Sequence, residues 1–355
     1  MFVFDSEDFD GHEQVVFASD PDTGLKAIIA IHDTSNGPAL GGCRMWNYAT
    51  ESEALRDVLR LSRGMTYKAA ISRLPLGGGK SVIIGDARSQ KTPELMRAMG
   101  RAVERLRGRY IVAEDVGTSV EDMAAICTET AHVVGRPADR GGSGDPSPFT
   151  AYGCLVGIRA ALDHLGRADG LRGARVAIQG LGHVGWHLAR LLAEAGARLI
   201  VSDIRPEIVE RAVRTFGAEA IAVDEIHTAD VDVFAPCALG AVINDRTIPA
   251  LKARIVAGSA NNQLAEGRHG AVLRQRGVLY APDYVVNAGG LMNVAAELGT
   301  YDATAVRRRI EGIYDTLMDI FARADRQGIP TNAAADRIAE ERFRRPRRAG
   351  KIMAA

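Results

Sequence analysis

Residues 175–194 read RVAIQGLGHVGWHLARLLAE, and these twenty positions decide the fold of half the chain. RVAIQ is a short apolar run of strand type, and the residues from His183 to Glu194 carry apolar positions at helical spacing. Between them Gly180, Leu181, Gly182, His183, Val184 and Gly185 form a complete GxGxxG. Glycines at that spacing allow a tight turn and let backbone N–H groups reach a pyrophosphate at a helix N-terminus. A lone match of this kind is weak, but a strand before it and a helix after it are the context the motif needs. The next strand, RLIVSD, closes on Asp203, at the distance where an acid meets the adenosine ribose hydroxyls. An aspartate there repels a 2′-phosphate, so NAD is favoured over NADP, with Arg205 close enough to work against that preference. Further strands are expected at Val231–Ala235, Ile255–Gly258 and Val278–Ala281.

The preceding residues alternate in the same manner. Strands are expected at Lys26–Asp33, Gly41–Met45, Ser81–Gly85, Tyr110–Ala113 and His132–Gly135. Helices are expected from the Thr50/Glu53 capping box to about Tyr67, over Thr92–Leu106, and after Ser119 with Asp122. Arg136–Pro148 (RPADRGGSGDPSP) has hinge composition, and a helix follows over Thr150–Leu165. Leu291–Leu298, Ala303–Arg326 and Ala333–Phe343 read as helices. The fold class is therefore α/β: an N-terminal, mostly parallel α/β domain over 1–135 and a Rossmann-type dinucleotide-binding domain over 136–329. A cleft is expected between them, with the C-terminal segment 330–355 packing back on the first domain.

Composition narrows the function. The 355 residues are 46% hydrophobic and 25% charged, with zero formal net charge, so no global field draws the chain to nucleic acid or to a membrane surface. No apolar run approaches the roughly 18 residues a membrane span needs. The opening MFVFDSEDFD lacks the basic start of a signal peptide. The one basic run, Arg342–Arg348, reads as a solvated chain end. Cys43, Cys127, Cys154 and Cys237 are widely spaced and have no histidine neighbours, so a reduced, cytoplasmic chain without metal is expected.

Lysine is scarce: 6 residues against 38 arginines. Two of the six, Lys68 and Lys80, fall in one stretch, GMTYKAAISRLPLGGGK (64–80). An arginine keeps its proton near neutral pH, whereas a desolvated lysine can lose it. The triplet Gly77–Gly79 reads as a turn without side chains that admits a small substrate to the backbone, with Lys80 at the entrance of the next strand. Asp115, at a strand end, is a third candidate. A dry cleft between such a site and a dinucleotide suits hydride transfer.

PLGGGK (75–80), GMTYK (64–68), AEDVGT (113–118), GSGDPSP (142–148), APCALGA (235–241), GSANNQL (258–264) and APDYVVNAGG (281–290) resemble, in order, the amino-acid dehydrogenases that oxidatively deaminate glutamate, leucine, phenylalanine or valine. The resemblance implies that Lys80 acts as general base on the attacking water and that Lys68 binds the substrate carboxylate. It implies that Asp115 holds the α-amino group and passes protons, with Gly41, Gly42, Met65 and Asn262 completing the substrate site. Thr150, Gly180 to Gly185, Asp203, Ala238, Ala260 and Asn261 would line the NAD site. The side-chain pocket would fall at Leu40, Ala113, Leu291 and Val294. All four are apolar, which disfavours a second carboxylate and points to branched aliphatic substrates, leucine first and then isoleucine and valine. An aromatic substrate is the alternative, and a non-catalytic NAD-binding protein of the same fold is a weaker one. A hydroxy-acid dehydrogenase would want a His–carboxylate pair, and His132 and His164 stand outside the motifs. The family implies a homo-oligomer. The chain departs from the family pattern at Asp145, His183 and Ala296.

Overall fold

The computed structural model describes residues 3–344. Its first layer comprises β1 (Gln14–Asp20), β2 (Leu25–Asp33), β3 (Ala39–Trp46), α1 (Glu51–Ile71), β4 (Gly77–Ile84), α2 (Pro93–Glu104), β5 (Tyr110–Glu114) and α3 (Val120–Cys127). The sheet order is β1-β2-β4-β3-β5. The parallel part expected from the sequence is β4, β3 and β5. Strand β2 runs antiparallel to β4, and β1 antiparallel to β2. β1 has no counterpart in the sequence reading, because its residues are half-buried or exposed at a sheet edge and form no continuous apolar run. The expected strand at His132–Gly135 is reduced to one bridge, Val112 to Val133, since Gly135 turns the chain at φ +77°.

Thr50 caps α1 by accepting from the Glu53 N–H, and Leu55, Val58 and Leu59 bury its sheet-facing side. The helix runs on to Ile71, past the end expected near Tyr67, and Lys68 sits within its last turn. The glycine triplet is not a turn: it opens β4, and Lys80 lies inside that strand opposite Ala30 of β2. A Cβ on Gly78 would overlap the backbone nitrogen of Thr66 on α1. One on Gly77 would overlap the Asp33 carbonyl, and one on Gly79 would stand 2.8 Å from the Tyr110 ring. These glycines let α1 and the neighbouring strands close onto β4, and none of them lines the cavity described below.

The second layer runs α4 (Ser147–His164), β6 (Arg175–Gln179), α5 (His183–Glu194), β7 (Arg198–Ser202), α6 (Pro206–Phe216), β8 (Glu219–Ala220), β9 (Val233–Pro236), β10 (Ile255–Val256), α7 (His269–Gln275), β11 (Leu279–Tyr280), α8 (Asp283–Val286), α9 (Gly289–Ala295), α10 (Ala303–Gln327) and α11 (Thr331–Phe343). Its sheet, β11-β10-β9-β6-β7-β8, is parallel throughout. The helix expected over Leu291–Leu298 begins earlier and ends in a 3-10 turn at Ala296–Leu298. Two glycines start α9 because it abuts α4: a Cβ on Gly289 would overlap the Phe149 carbonyl.

α11 packs on α1. Tyr67 donates to Glu340 at 2.7 Å, and Arg342 donates to the carbonyls of Ala70 and Ile71 at 3.2 and 2.6 Å. The remainder of the C-terminal segment, with Arg345, Arg347 and Arg348 of the basic run, lies outside the described residues. Among the described residues no helix is long and apolar enough to cross a membrane, and the four cysteines are unpaired.

Candidate active site

A cavity of about 950 Å³ opens between the first sheet and the loops and helices that follow β10 and β11. Lys68, Lys80, Asp115, Gly41, Gly42, Met65, Asn262, Leu40, Ala113, Leu291 and Val294 all line it. The positions singled out for substrate and catalysis thus come together from β3, α1, β4, β5 and α9.

Lys80 is 5% exposed, and its Nζ stands 2.6 Å from Asp115 Oδ2. The same oxygen accepts from Arg44 Nε at 3.1 Å. Burial by itself would raise the Asp115 pKa, but the charges of Lys80 and Arg44 outweigh it and hold the carboxyl below its usual range. A Cβ on Gly42 would come 3.1 Å from Lys80 Nζ and 2.7 Å from Asp115 Cβ, so this glycine keeps the space over the pair open. Lys68 is half-buried, without a carboxylate within 4 Å among the described residues. Burial, reinforced by the Lys80 charge and only partly opposed by Asp283, pushes its pKa down to about 8.

The apolar end of the cavity is one packed cluster. Leu40, Ala113, Leu291 and Val294 meet there with Met65, backed by Leu74, Leu76, Ile111 and Val134. Those four backing residues carry no signal in the sequence, although Leu74 and Leu76 lie within the lysine-bearing stretch.

Several charged residues also escape a reading of the sequence. Asp283 lines the cavity, nearly buried, and accepts from the N–H groups of Gln263 at 2.8 Å and Tyr284 at 2.6 Å. Burial raises its pKa despite those bonds. Glu297, one residue beyond the departure at Ala296, has a wholly buried side chain. It accepts from the N–H groups of Gly135 at 2.9 Å and Ser143 at 2.7 Å, and Arg136 stands 3.5 Å away. The glycine-rich stretch after Gly135 is therefore pinned at both ends to the residues following α9. His132 and His164 pair with Glu104 and Asp325 and do not line the cavity. Asp245, Glu266 and His269 form the one group of metal-ligand type among the described residues. Arg268 already holds both of its carboxylates.

Most of the residues expected to hold a dinucleotide assemble at the C-terminal ends of the second sheet, where such sheets bind ligands. Gly180 turns at φ +94° and touches Ala238, whose Cβ would be 2.7 Å from a Cβ placed on the glycine. A Cβ on Gly185 would overlap the Gly180 carbonyl, while Gly182 faces open space at the N-terminus of α5, which no side chain caps. Asp203 accepts from Leu181 N–H at 2.7 Å and pairs with Arg205 Nε at 3.1 Å. Ala260 donates to the Pro236 carbonyl at 2.9 Å beside the same loop. Thr150 is placed apart, on the first turn of α4 against Gly290. Asn261 reaches the cavity and accepts from Asn287 at 2.6 Å. Asn287 was missed, and its buried Oδ1 has no partner among the described residues. A glycine turn crowded at Gly180 and Gly185 and open at Gly182, an uncapped helix start and an unpartnered buried acceptor next to the cavity fit a dinucleotide.

A parallel sheet with such a turn, facing a cavity that holds two lysines and a half-buried carboxylate, defines a nucleotide-dependent dehydrogenase. Residues 12–132 match the family profile "Glu/Leu/Phe/Val dehydrogenase, dimerisation domain". Residues 141–212 and 205–342 match "Glutamate/Leucine/Phenylalanine/Valine dehydrogenase". The chain belongs to the Glu/Leu/Phe/Val dehydrogenase family. It is 56% identical to leucine dehydrogenase of Geobacillus stearothermophilus over 95% of this chain and 92% of that protein. It is 49% identical to phenylalanine dehydrogenase of Caldalkalibacillus thermarum, over 94% and 92%. The solved structure of L-tryptophan dehydrogenase from Nostoc punctiforme superposes with a TM-score of 0.82 at 47% identity, covering 94% of this chain and 96% of that one.

Proposed function

We propose that this protein catalyses the reversible, NAD-dependent oxidative deamination of a branched-chain L-amino acid, leucine before isoleucine and valine, to the 2-oxo acid and ammonia. The observation that carries the reading is the Lys80–Asp115 pair beside unpaired Lys68, at the mouth of an apolar pocket. The substrate carboxylate pairs with Lys68, and the α-amino group meets Asp115. The side chain lies among Leu40, Ala113, Leu291 and Val294. Ala113 and Leu291 leave less room than an aromatic ring needs, and no cation among these four would pair the second carboxylate of glutamate. A bound nicotinamide supplies the acceptor for the α-hydrogen as hydride. Lys80 then takes a proton from the water that adds to the substrate iminium, and Asp115 carries protons to the departing ammonia.

Gly180–Gly185 with Asp203, Ala238, Ala260 and Asn261 would hold NAD, and Thr150 would approach it from α4. Asp203 supports NAD over NADP because its charge opposes a 2′-phosphate, and the nearby Arg205 is already engaged by it. A division into a first domain ending near 135 and a second from 136 to 329 follows the two sheets. The profile name for residues 12–132 supports a homo-oligomer.

The test is NADH consumption with ammonia and 4-methyl-2-oxopentanoate, 3-methyl-2-oxobutanoate, phenylpyruvate, indolepyruvate or 2-oxoglutarate, repeated with NADPH. The expected result is fastest turnover with 4-methyl-2-oxopentanoate and NADH. An aromatic acid winning would overturn the pocket argument and keep the chemistry. No turnover in protein that binds NADH would favour a non-catalytic protein.

Lys68 makes substrate capture pH-dependent. Its ammonium predominates below about pH 8 and is lost above it. Only the ammonium attracts a carboxylate, so affinity is full on the acid side. Binding of the inert carboxylate 4-methylpentanoate, followed by calorimetry, is expected to weaken about tenfold per pH unit above that point. Lys68→Met is expected to bind weakly at every pH; a variant with the unchanged wild-type profile would remove Lys68 from the site.

A further inference from the structure

We infer that Arg44 is a positioning residue that keeps Asp115 ionised and aimed during the part of the cycle in which Lys80 has given up its charge. This rests on the proposed roles of Lys80 and Asp115. Arg44 projects from β3, and its guanidinium bridges two carboxylates: Nε donates to Asp115 Oδ2 at 3.1 Å and Nη1 to Asp57 Oδ2 at 3.0 Å. Asp57, on α1, also accepts from Tyr48 at 2.6 Å, so the arginine is anchored from behind. Lys80 reaches the same Asp115 oxygen. No side chain among the described residues donates to Asp115 Oδ1, which is left for a substrate amino group.

Two cations on one half-buried carboxylate have different uses. A general base must become neutral, and at that moment a carboxylate with Lys80 as its only partner would be half-buried beside an uncharged amine. It would then take up a proton itself. Arginine stays charged throughout. Arg44 therefore supplies the charge that Lys80 lends and withdraws, and its fork to Asp57 fixes the direction of the Asp115 carboxyl.

The titratable groups acting on Asp115 or acted on by it are Lys80 on β4, Lys68 on α1, Cys43, Arg44 and Tyr48 on and after β3, and Tyr110 and Glu114 on β5. Among them Arg44 is the cation that does not titrate in the working range. Asp115 is needed as carboxylate, above its pKa, and Lys80 is needed as a neutral base, so activity falls with pH as either condition is lost. Removing Arg44 raises that pKa, and the acid limb of kcat/KM moves to higher pH.

The experiment compares Arg44→Met, Arg44→Lys and Asp57→Asn across pH, with kcat and KM determined separately. For Arg44→Met, kcat at neutral pH is expected to fall about tenfold or more, with a smaller change in KM for the amino acid. Its acid limb should move alkaline. Arg44→Lys, which restores charge without the fork, should recover part of both. Asp57→Asn should shift the limb in the same direction by less, and it carries the test if Arg44→Met does not fold. An acid limb unchanged in Arg44→Met or, failing that variant, in Asp57→Asn would overturn the inference. So would an Arg44→Lys enzyme no better than Arg44→Met. Either result, in an enzyme whose wild type turns over and whose Lys80→Ala variant does not, would leave the proposed function standing. A wild type without turnover would remove that function instead.

Discussion

Lys80→Ala is expected to lower kcat by about three orders of magnitude while NADH binding, followed by fluorescence, stays within about twofold of wild type. The size follows from the loss of a positioned general base, worth about 10² to 10⁴, together with the ammonium that faces Asp115. Binding should survive because the proposed cofactor residues, the glycine turn and Asp203, stand at the second sheet, whereas Lys80 belongs to β4 of the first. The fold survives because Arg44 still bonds the Asp115 oxygen that Lys80 vacates. Lys80→Arg separates charge from basicity: it keeps a cation beside Asp115 but one that cannot deprotonate, so it should be nearly as slow. Either variant retaining wild-type turnover would end the assignment of Lys80 as base.

Gly78→Ala should cost more than about 4 kcal/mol and leave little folded protein. A Cβ there falls on the Thr66 backbone nitrogen and within 2.5 Å of its Cα. Both belong to a helix packed along the whole of β4, and no side-chain rotation relieves a backbone overlap. Relief would require α1 to lift from the sheet, taking Lys68 and Met65 with it. Gly64, on the same helix, is the control. A Cβ there meets nothing within 4 Å, so Gly64→Ala should stabilise by about 0.5–1 kcal/mol through helix propensity. Urea unfolding of the two variants decides the point; a Gly78→Ala protein as stable as Gly64→Ala would refute the packing argument.

The glycine triplet shows where sequence reading stops. Locally a run of three glycines looks like a turn, and only contacts distant in sequence explain why side chains are barred: Asp33 at Gly77, Thr66 of α1, twelve positions earlier, at Gly78, and Tyr110 at Gly79. The GxGxxG was legible because its meaning is local: strand, turn and helix follow one another. Lys68 and Lys80 were legible because lysine is rare here and the two are close in sequence. Arg44 was not, since one arginine among 38 carries no signal and its partner lies 71 positions away. Asp283, Asn287 and Glu297 stand within or beside quoted motifs, yet their roles depend on burial, which spacing does not reveal. The edge strand β1 escaped because an exposed edge needs no apolar run.

The seating of α11 bears on the order in which the chain is completed. Arg342 supplies donors to two carbonyls in the last turns of α1, the helix that carries Lys68. The Ala70 carbonyl already accepts from the Arg73 N–H, so during synthesis it is the Arg342 side-chain bonds that wait through the whole of the second sheet. The first sheet can form early from its own residues, but the end of the Lys68 helix acquires its final partners only when Thr331–Phe343 has emerged and folded back. A nascent chain is therefore expected to complete its GxGxxG turn before the end of the Lys68 helix gains its contacts with Arg342.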